Sequence, residues 1–263
     1  MKSKVYTWVA IASILLIVVI ISVVIVLVGL KNGGFNYVKI EYNPSIEFVT
    51  DTKDKVVSFR PLNDEARKVI ANIDMVDRDV TDVVYDIMDN SLKMGYLKEE
   101  NVIKLTSVSG LTQALDVHMY RAISGFLSKN LVYGVIVENV NDMEKIRLAK
   151  EKNVSVHELA LIETIMDNSN RGFEELEKKM PDELIDIIMN DSLSYMREYP
   201  TTKEEVEEQI KIIEDNKDIY EKHMDSITKE GKREYMENQV KLSRQMTDKY
   251  EVQYSKMIKE KTH

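Results

Sequence analysis

The sequence predicts an α+β protein: an N-terminal transmembrane helix, a small mixed sheet-and-helix extracytoplasmic domain, then an all-helical C-terminal extension. Three observations carry that prediction. No charged residue interrupts the stretch from Val5 to Leu30, which is dominated by Ile, Val and Leu. Runs alternating with period two follow it, between Phe35 and Leu62 and again over Asn101–Val108. From Asn141 onward only the helical period remains.

Residues 5–30 are long enough, at about 1.5 Å per residue, to cross a hydrocarbon core of about 30 Å with some tilt. A cleaved signal peptide has a shorter apolar region and a small-residue cleavage site, so a retained anchor is expected here. Lys2 and Lys4 precede the span and Lys31 alone closely follows it. That places residues 1–4 as a cytoplasmic tail and the remainder outside, a single pass in the cell membrane. Residues 31–34 (Lys-Asn-Gly-Gly) form a short flexible linker.

Residues 35–140 read as the α+β domain. Val38, Ile40 and Tyr42 alternate with Tyr37, Lys39 and Glu41, and Ile46 and Phe48 with Glu47, the period of half-buried strands. Pro44 has no N–H and a fixed φ, so the ladder must break between these two strands. Lys55–Leu62 gives a third strand, with Val57 and Phe59 on one face and Val56 and Ser58 on the other. Asn63-Asp64 caps a short helix, and Asp79 opens a firmer one with Val80, Val83, Val84, Ile87 and Met88 inward, ended by Gly95. Asn101–Val108 is a fourth strand, Leu111–Lys129 a helix, and Leu131–Val140 a strand of the same or a second sheet.

Residues 141–200 read as a helical subdomain. Ser155-Val156-His157-Glu158 is a capping box before a helix with Leu159, Ile162, Ile165 and Met166 inward. Phe173, Leu176, Leu184, Ile185 and Ile188 continue the pattern, and Pro181 suits a helix start. Residues 201–263 are highly charged. Val206, Ile210, Ile213, Tyr220, Met224 and Ile227 recur at helical spacing, with Lys217 interrupting the row. Two long amphipathic helices are expected, hairpinned at Gly231 or packed, coiled-coil fashion, on an unknown protein partner.

Composition removes several classes of function. The 263 residues carry a formal net charge of −9 and no cysteine. Disulfides, thiol metal sites and thiol nucleophiles are therefore absent, and no nucleic-acid partner is expected. His118, His157, His223 and His263 are scattered without metal-ligand spacing. Neither a Gly-rich phosphate loop nor a nucleophile elbow occurs. No cofactor, metal or turnover chemistry is expected.

One constellation could carry a single-turnover reaction: Asn43-Pro44-Ser45, at the joint of the first strand pair. The Asn43 side-chain nitrogen can attack its own backbone carbonyl, closing a succinimide and releasing the Pro44 nitrogen. Deamidation by the following amide is blocked, because proline has no N–H. Strain at the bond and a polarised carbonyl would have to assist. Ser45 could donate a hydrogen bond there, or its hydroxyl could act as an alternative nucleophile. Asn-Pro-Ser is also an ordinary turn sequence.

The run Tyr37-Val38-Lys39-Ile40-Glu41-Tyr42-Asn43-Pro44-Ser45-Ile46-Glu47-Phe48, followed by Val56-Val57-Ser58-Phe59-Arg60-Pro61-Leu62-Asn63, resembles the extracytoplasmic middle domain of RsgI-type anti-sigma-I factors. Gly95-Tyr96-Leu97, Ala149–Ser155 and Leu159-Ala160-Leu161-Ile162 extend the resemblance over about residues 5–190. It implies cleavage between Asn43 and Pro44, with the two pieces held together by the sheet. Removal of the domain would then expose a membrane stub to an intramembrane protease and release a sigma factor. Family members carry a cytoplasmic sigma-binding domain before the membrane helix, where this sequence has Met1–Lys4. That output lies upstream of this start, has been lost, or belongs to a separate protein. Charged helices stand where a C-terminal carbohydrate-binding module would be, and Glu41-Tyr42 replaces the commoner acidic-then-aliphatic pair. The expected function is envelope sensing or signalling through Asn-Pro self-cleavage and regulated proteolysis. The alternative is a membrane-tethered interaction module with an inert Asn-Pro turn and a partner-binding tail.

Overall fold

Short β-branched and aromatic runs separated by turns pair into a single sheet with helices packed on both of its faces. The computed structural model describes residues 34–97, 101–109 and 114–225, with 227, 231–234, 236–242, 244–245 and 248 beyond them. Strands β1 (Asn36–Glu41), β2 (Ser45–Thr50), β3 (Val56–Pro61), β4 (Asn101–Ser109) and β5 (Gly134–Glu138) lie in the order β3-β2-β1-β4-β5. β1 is the central strand. It runs antiparallel to β2, with Glu41 opposite Ser45, and antiparallel to β4, with Glu41 opposite Lys104. β5 joins the same sheet parallel to β4, the pairing that needs a crossover helix.

The first face of the sheet is covered by α1 (Asp64–Ile70), α2 (Val80–Lys93) and α3 (Ala114–Lys129). Val38, Ile40, Ile46 and Phe48 pack there against Val69, Val83, Ile87, Met119 and Phe126. Asn63 and Asp79 cap α1 and α2, as their side-chain chemistry predicts. After α2 the chain turns at Gly95, whose φ of 76° suits glycine and where a Cβ would sit 3.0 Å from the Asn216 side-chain oxygen.

Later in the chain come α4 (Met143–Lys152), α5 (Val156–Asn168), α6 (Phe173–Leu176) and α7 (Pro181–Glu198); α5 and α7 cover the second face, and α4 and α6 pack on α5. Tyr37, Val49 and Val108 meet Leu161, Ile165, Leu184 and Ile188 there. The Ser155–Glu158 capping box forms, and Pro181 occupies the first turn of α7. Burying a large apolar side chain is worth about 1.5–3 kcal/mol, so each layer adds substantially to the hold on the sheet.

Several expectations are corrected. β1 and β2 are covered on both sides rather than half-buried: Tyr37 and Glu47 are both 0% exposed, because the later helices lie over that face, whereas β4 keeps Val102 and Lys104 exposed. Val56 shares the core of Phe59 and Phe48 instead of opposing Phe59, because the register shifts by one residue between Val49 and Thr50. A bulge of this kind returns the next side chain to the same face. Met166 is 39% exposed, while Leu161 is fully buried in its stead. The inward stripe of α5 thus runs through Leu161, Ile162 and Ile165.

The charged tail begins as α8 (Lys203–Asp215) and α9 (Lys217–Asp225), which pack on the chain's own first core through Ile212, Ile213 and Tyr220. Asn216 separates them; its side chain donates to the Ile212 carbonyl at 2.8 Å, competing with the helix ladder. The face of α8 that meets the core runs through Gln209, Ile212 and Ile213, so Gln209 is buried and Ile210 is 46% exposed. Gly231 lies in helical backbone, directly after residues 228–230, which lie outside the described residues. The expected cytoplasmic tail 1–4, membrane span 5–30, linker residues 31–33 and the last part of the tail, 249–263, lie outside the described residues. Among the described residues no helix is long and apolar enough to cross a membrane.

Candidate functional site

Because β1 and β2 close their pairing at Glu41 and Ser45, Tyr42-Asn43-Pro44 is left as a tight three-residue turn. The Tyr42 N–H donates to the Pro44 carbonyl at 3.0 Å. Asn43 is exposed with φ at 57°, the left-handed region that asparagine tolerates better than most residues. It is held there directly before a proline, whose ring further crowds the preceding backbone. Pro44 is buried. Ser45 enters the site through its main chain, and its carbonyl accepts from the Leu62 N–H at 2.8 Å.

Asn63 organises this turn. Its Oδ1 accepts from the Ala66 N–H at 2.9 Å, the cap of α1, and from the Ser45 N–H at 3.2 Å. Its Nδ2 donates to the Asn43 Oδ1 at 3.1 Å. One side chain therefore grips the residues on both sides of the Asn43-Pro44 bond. The Asn43 carboxamide is thereby held through its oxygen. The sequence marks Asn63 as a helix cap and nothing more; the fold brings it to a residue twenty positions earlier.

Tyr42 fixes the turn from the other side. Its hydroxyl lies 2.9 Å from Ser91 Oγ, and Ser91 donates to the Ile87 carbonyl at 2.7 Å. The Ser91 proton being used, Tyr42 is the donor. Burial pushes the Tyr42 phenol well above the usual tyrosine range, so it stays protonated.

Beneath the turn, β1 is tied to its neighbours by a buried polar network. Arg60 Nε donates to Glu47 Oε1 at 2.7 Å, and the Tyr37 hydroxyl reaches Glu47 Oε2 at 3.4 Å and Thr164 Oγ1 at 3.0 Å. Burial raises the Glu47 carboxyl above its ordinary range, and the adjacent Arg60 only partly opposes it. Burial, then the Glu47 charge, raises Tyr37 as well.

The fold thus brings Asn43, Pro44 and Ser45 together with Asn63, whose part in the site the sequence did not show. His118 faces Asp54 at 3.5 Å, and His223 Nε2 lies 2.6 Å from the Asn130 carbonyl. Among the described residues no group of His, Asp and Glu is arranged to hold a metal ion.

Residues 35–164 match the family model of the anti-sigma factor RsgI-like central domain. The chain is similar to anti-sigma-I factor RsgI4 of Acetivibrio thermocellus, 37% identical over 79 residues, covering 29% of this chain and 15% of the relative. It is also similar to RsgI7 of the same organism, 29% identical over 180 residues, covering 66% of this chain and 32% of the relative. Against RsgI of Bacillus subtilis the identity is 33% over 79 residues, 30% of this chain and 21% of the relative. In these three the matched stretch spans at most 32% of the relative's length.

Proposed function

With residues 35–164 an anti-sigma factor RsgI-like central domain, we propose that this chain is a signalling protein of the cell envelope whose external domain cuts itself between Asn43 and Pro44. The chain crosses the membrane once, over residues 5–30, with the amino terminus in the cytoplasm. It holds its two pieces together after the cut and transmits a signal when they part. A membrane protease then acts on the freed stub, and a sigma factor is the regulated partner.

The observation that carries this proposal is the Asn43 carboxamide held by Asn63 at a left-handed turn before proline. In the reaction the Asn43 Nδ2 lone pair attacks the Asn43 carbonyl carbon. The C–N bond to Pro44 breaks, Nδ2 loses a proton and the departing Pro44 nitrogen gains one. One piece ends in a succinimide, the other begins with a free secondary amine. The hydrogen bond from Asn63 orients the carboxamide that supplies the nucleophile, and the constrained turn raises the ground state. No turnover follows, because the nucleophile is consumed.

The test is a denaturing gel of the C-terminally tagged full chain, made in membranes, beside Asn43→Ala. The wild type is expected to run shorter by about 5 kDa, the share of 43 residues in a chain of 263 residues and 30.5 kDa. The variant should run full length. Full-length migration of both would sink the proposal and leave a tethered interaction module.

A further inference from the structure

The helix that carries Asn63 at its start is gripped along its polar side by the C-terminal extension. α1 has seven residues, far below the length at which a helix persists unaided in water. Its position is therefore set by what it touches. Ala66, Val69 and Ile70 bury one face in the first core. The other face is covered by α8, from the region beyond residue 164 where the family match ends.

Three contacts make this grip. The Arg67 guanidinium pairs with the Glu205 carboxylate, with Nε at 2.9 Å, and also reaches the Tyr195 hydroxyl. Lys68 Nζ meets Glu208 at 3.0 Å. Gln209, 1% exposed, donates from Nε2 to the Val69 carbonyl at 2.8 Å. That carbonyl also accepts from Asn90 at 3.1 Å, so Val69 is where α1, α2 and α8 are joined.

We propose that α8 is an intramolecular clamp on α1 and that, by fixing Asn63, it sets the rate at which the Asn43-Pro44 bond cuts. The clamp presupposes the self-cleavage proposed above and adds its regulation. Asn63 and its hydrogen bond to Asn43 move with the first turn of α1. A misplacement of about 1 Å in a reacting geometry can cost about a hundredfold in rate. Loosening α8 lets α1 shift on its apolar face, breaks the contact to Asn43 and slows the cut. Asn63 acts here as a positioning residue, and the tail acts through it from the far side of the helix. A partner that peels α8 away before the cut would delay the formation of the two-piece state.

The experiment is a time course of cleavage in the tagged full chain, synthesised cell-free with membranes. Gln209→Met keeps the buried volume but removes the bond to Val69. Glu208→Lys sets like charges against Lys68. Gln209→Met is expected to lengthen the half-life about threefold to tenfold, the range a lost buried hydrogen bond commands, and Glu208→Lys, which exchanges attraction for repulsion at a partly exposed pair, about threefold. The double variant Lys68→Glu/Glu208→Lys is expected to restore the rate to within about twofold, which a general loss of stability would not do. Amide exchange over residues 64–70, measured in an Asn43→Ala background that keeps the chain whole, should quicken in the two single variants. Unchanged half-lives in both single variants overturn the clamp and leave the self-cleavage standing. So does slowing that the reversed pair fails to restore. A wild type that stays full length, like Asn43→Ala, overturns the cleavage itself and the clamp with it.

Discussion

At the scale of single residues, Asn63 does two separable things. Its oxygen caps α1 and holds the Ser45 N–H; its nitrogen holds Asn43. Aspartate is as good a cap as asparagine but has no N–H to offer. Asn63→Asp should therefore keep the thermal stability within about 0.5 kcal/mol and slow the cut at Asn43-Pro44 at least about tenfold. Asn63→Ala should slow it as much and also cost about 1 kcal/mol of stability, the usual loss of a cap. Stability from thermal melts and half-life from gel time courses separate the two roles. An Asn63→Asp chain that cuts at the wild-type rate would show that Asn63 is a cap alone.

At the scale of elements, what matters is that β1 lies between β2 and β4. After a cut at Asn43, its six residues remain bonded on both edges and keep Tyr37, Val38 and Ile40 buried. Drawn along its own axis, such a strand must lose both ladders and its side-chain pockets together. Ile40→Ala removes buried methylene groups at a cost of about 2–5 kcal/mol and should loosen the strand without touching the cut residues. With tags at both ends, the cleaved wild-type pieces are expected to purify together in detergent, and the Ile40→Ala pieces to separate under mild urea. Equal retention of both would mean that something other than β1 holds the pieces.

Much at this scale was legible in the sequence. Period-two runs located the first four strands, and side-chain capping rules located the starts of α1, α2 and α5. The bulge at Val49/Thr50 was not, because it depends on how β2 meets β3 rather than on either run. The central place of β1 was also hidden, since a pattern of alternation names no neighbours. In the site, Asn43-Pro44-Ser45 stood out as chemistry, whereas the link to Asn63 exists only once the β3–α1 junction folds back to the turn.

At the scale of the whole molecule, the helical layer over the second face encloses a carboxylate, and this gives stability a pH dependence of definite sign. Glu47 lies between β1, β3 and α5, within reach of Arg60 and Tyr37, with Lys39 also nearby. Burial raises its carboxyl above the ordinary value of about 4.3 that it has in the unfolded chain, despite Arg60. Between those two values the folded state binds more protons than the unfolded state. Stability from this group is therefore complete below the unfolded value and is lost as pH rises through the raised folded value. Glu205, whose carboxyl is lowered by its contacts to Thr202 and Arg67 against the opposing effect of burial, contributes in the opposite sense, so the total curve mixes both. The clean measure is the difference between Asn43→Ala and Asn43→Ala/Glu47→Gln, compared by urea unfolding from pH 4 to pH 8. The carboxylate form is expected to lose stability relative to the glutamine form as pH rises across that window. A difference that grows in favour of Glu47 with rising pH would mean that Arg60 outweighs burial and that the network is a settled ion pair. In that case the Arg60–Glu47 ion pair, with the Tyr37 hydroxyl beside it, is what joins β1, β2 and β3 beneath α5.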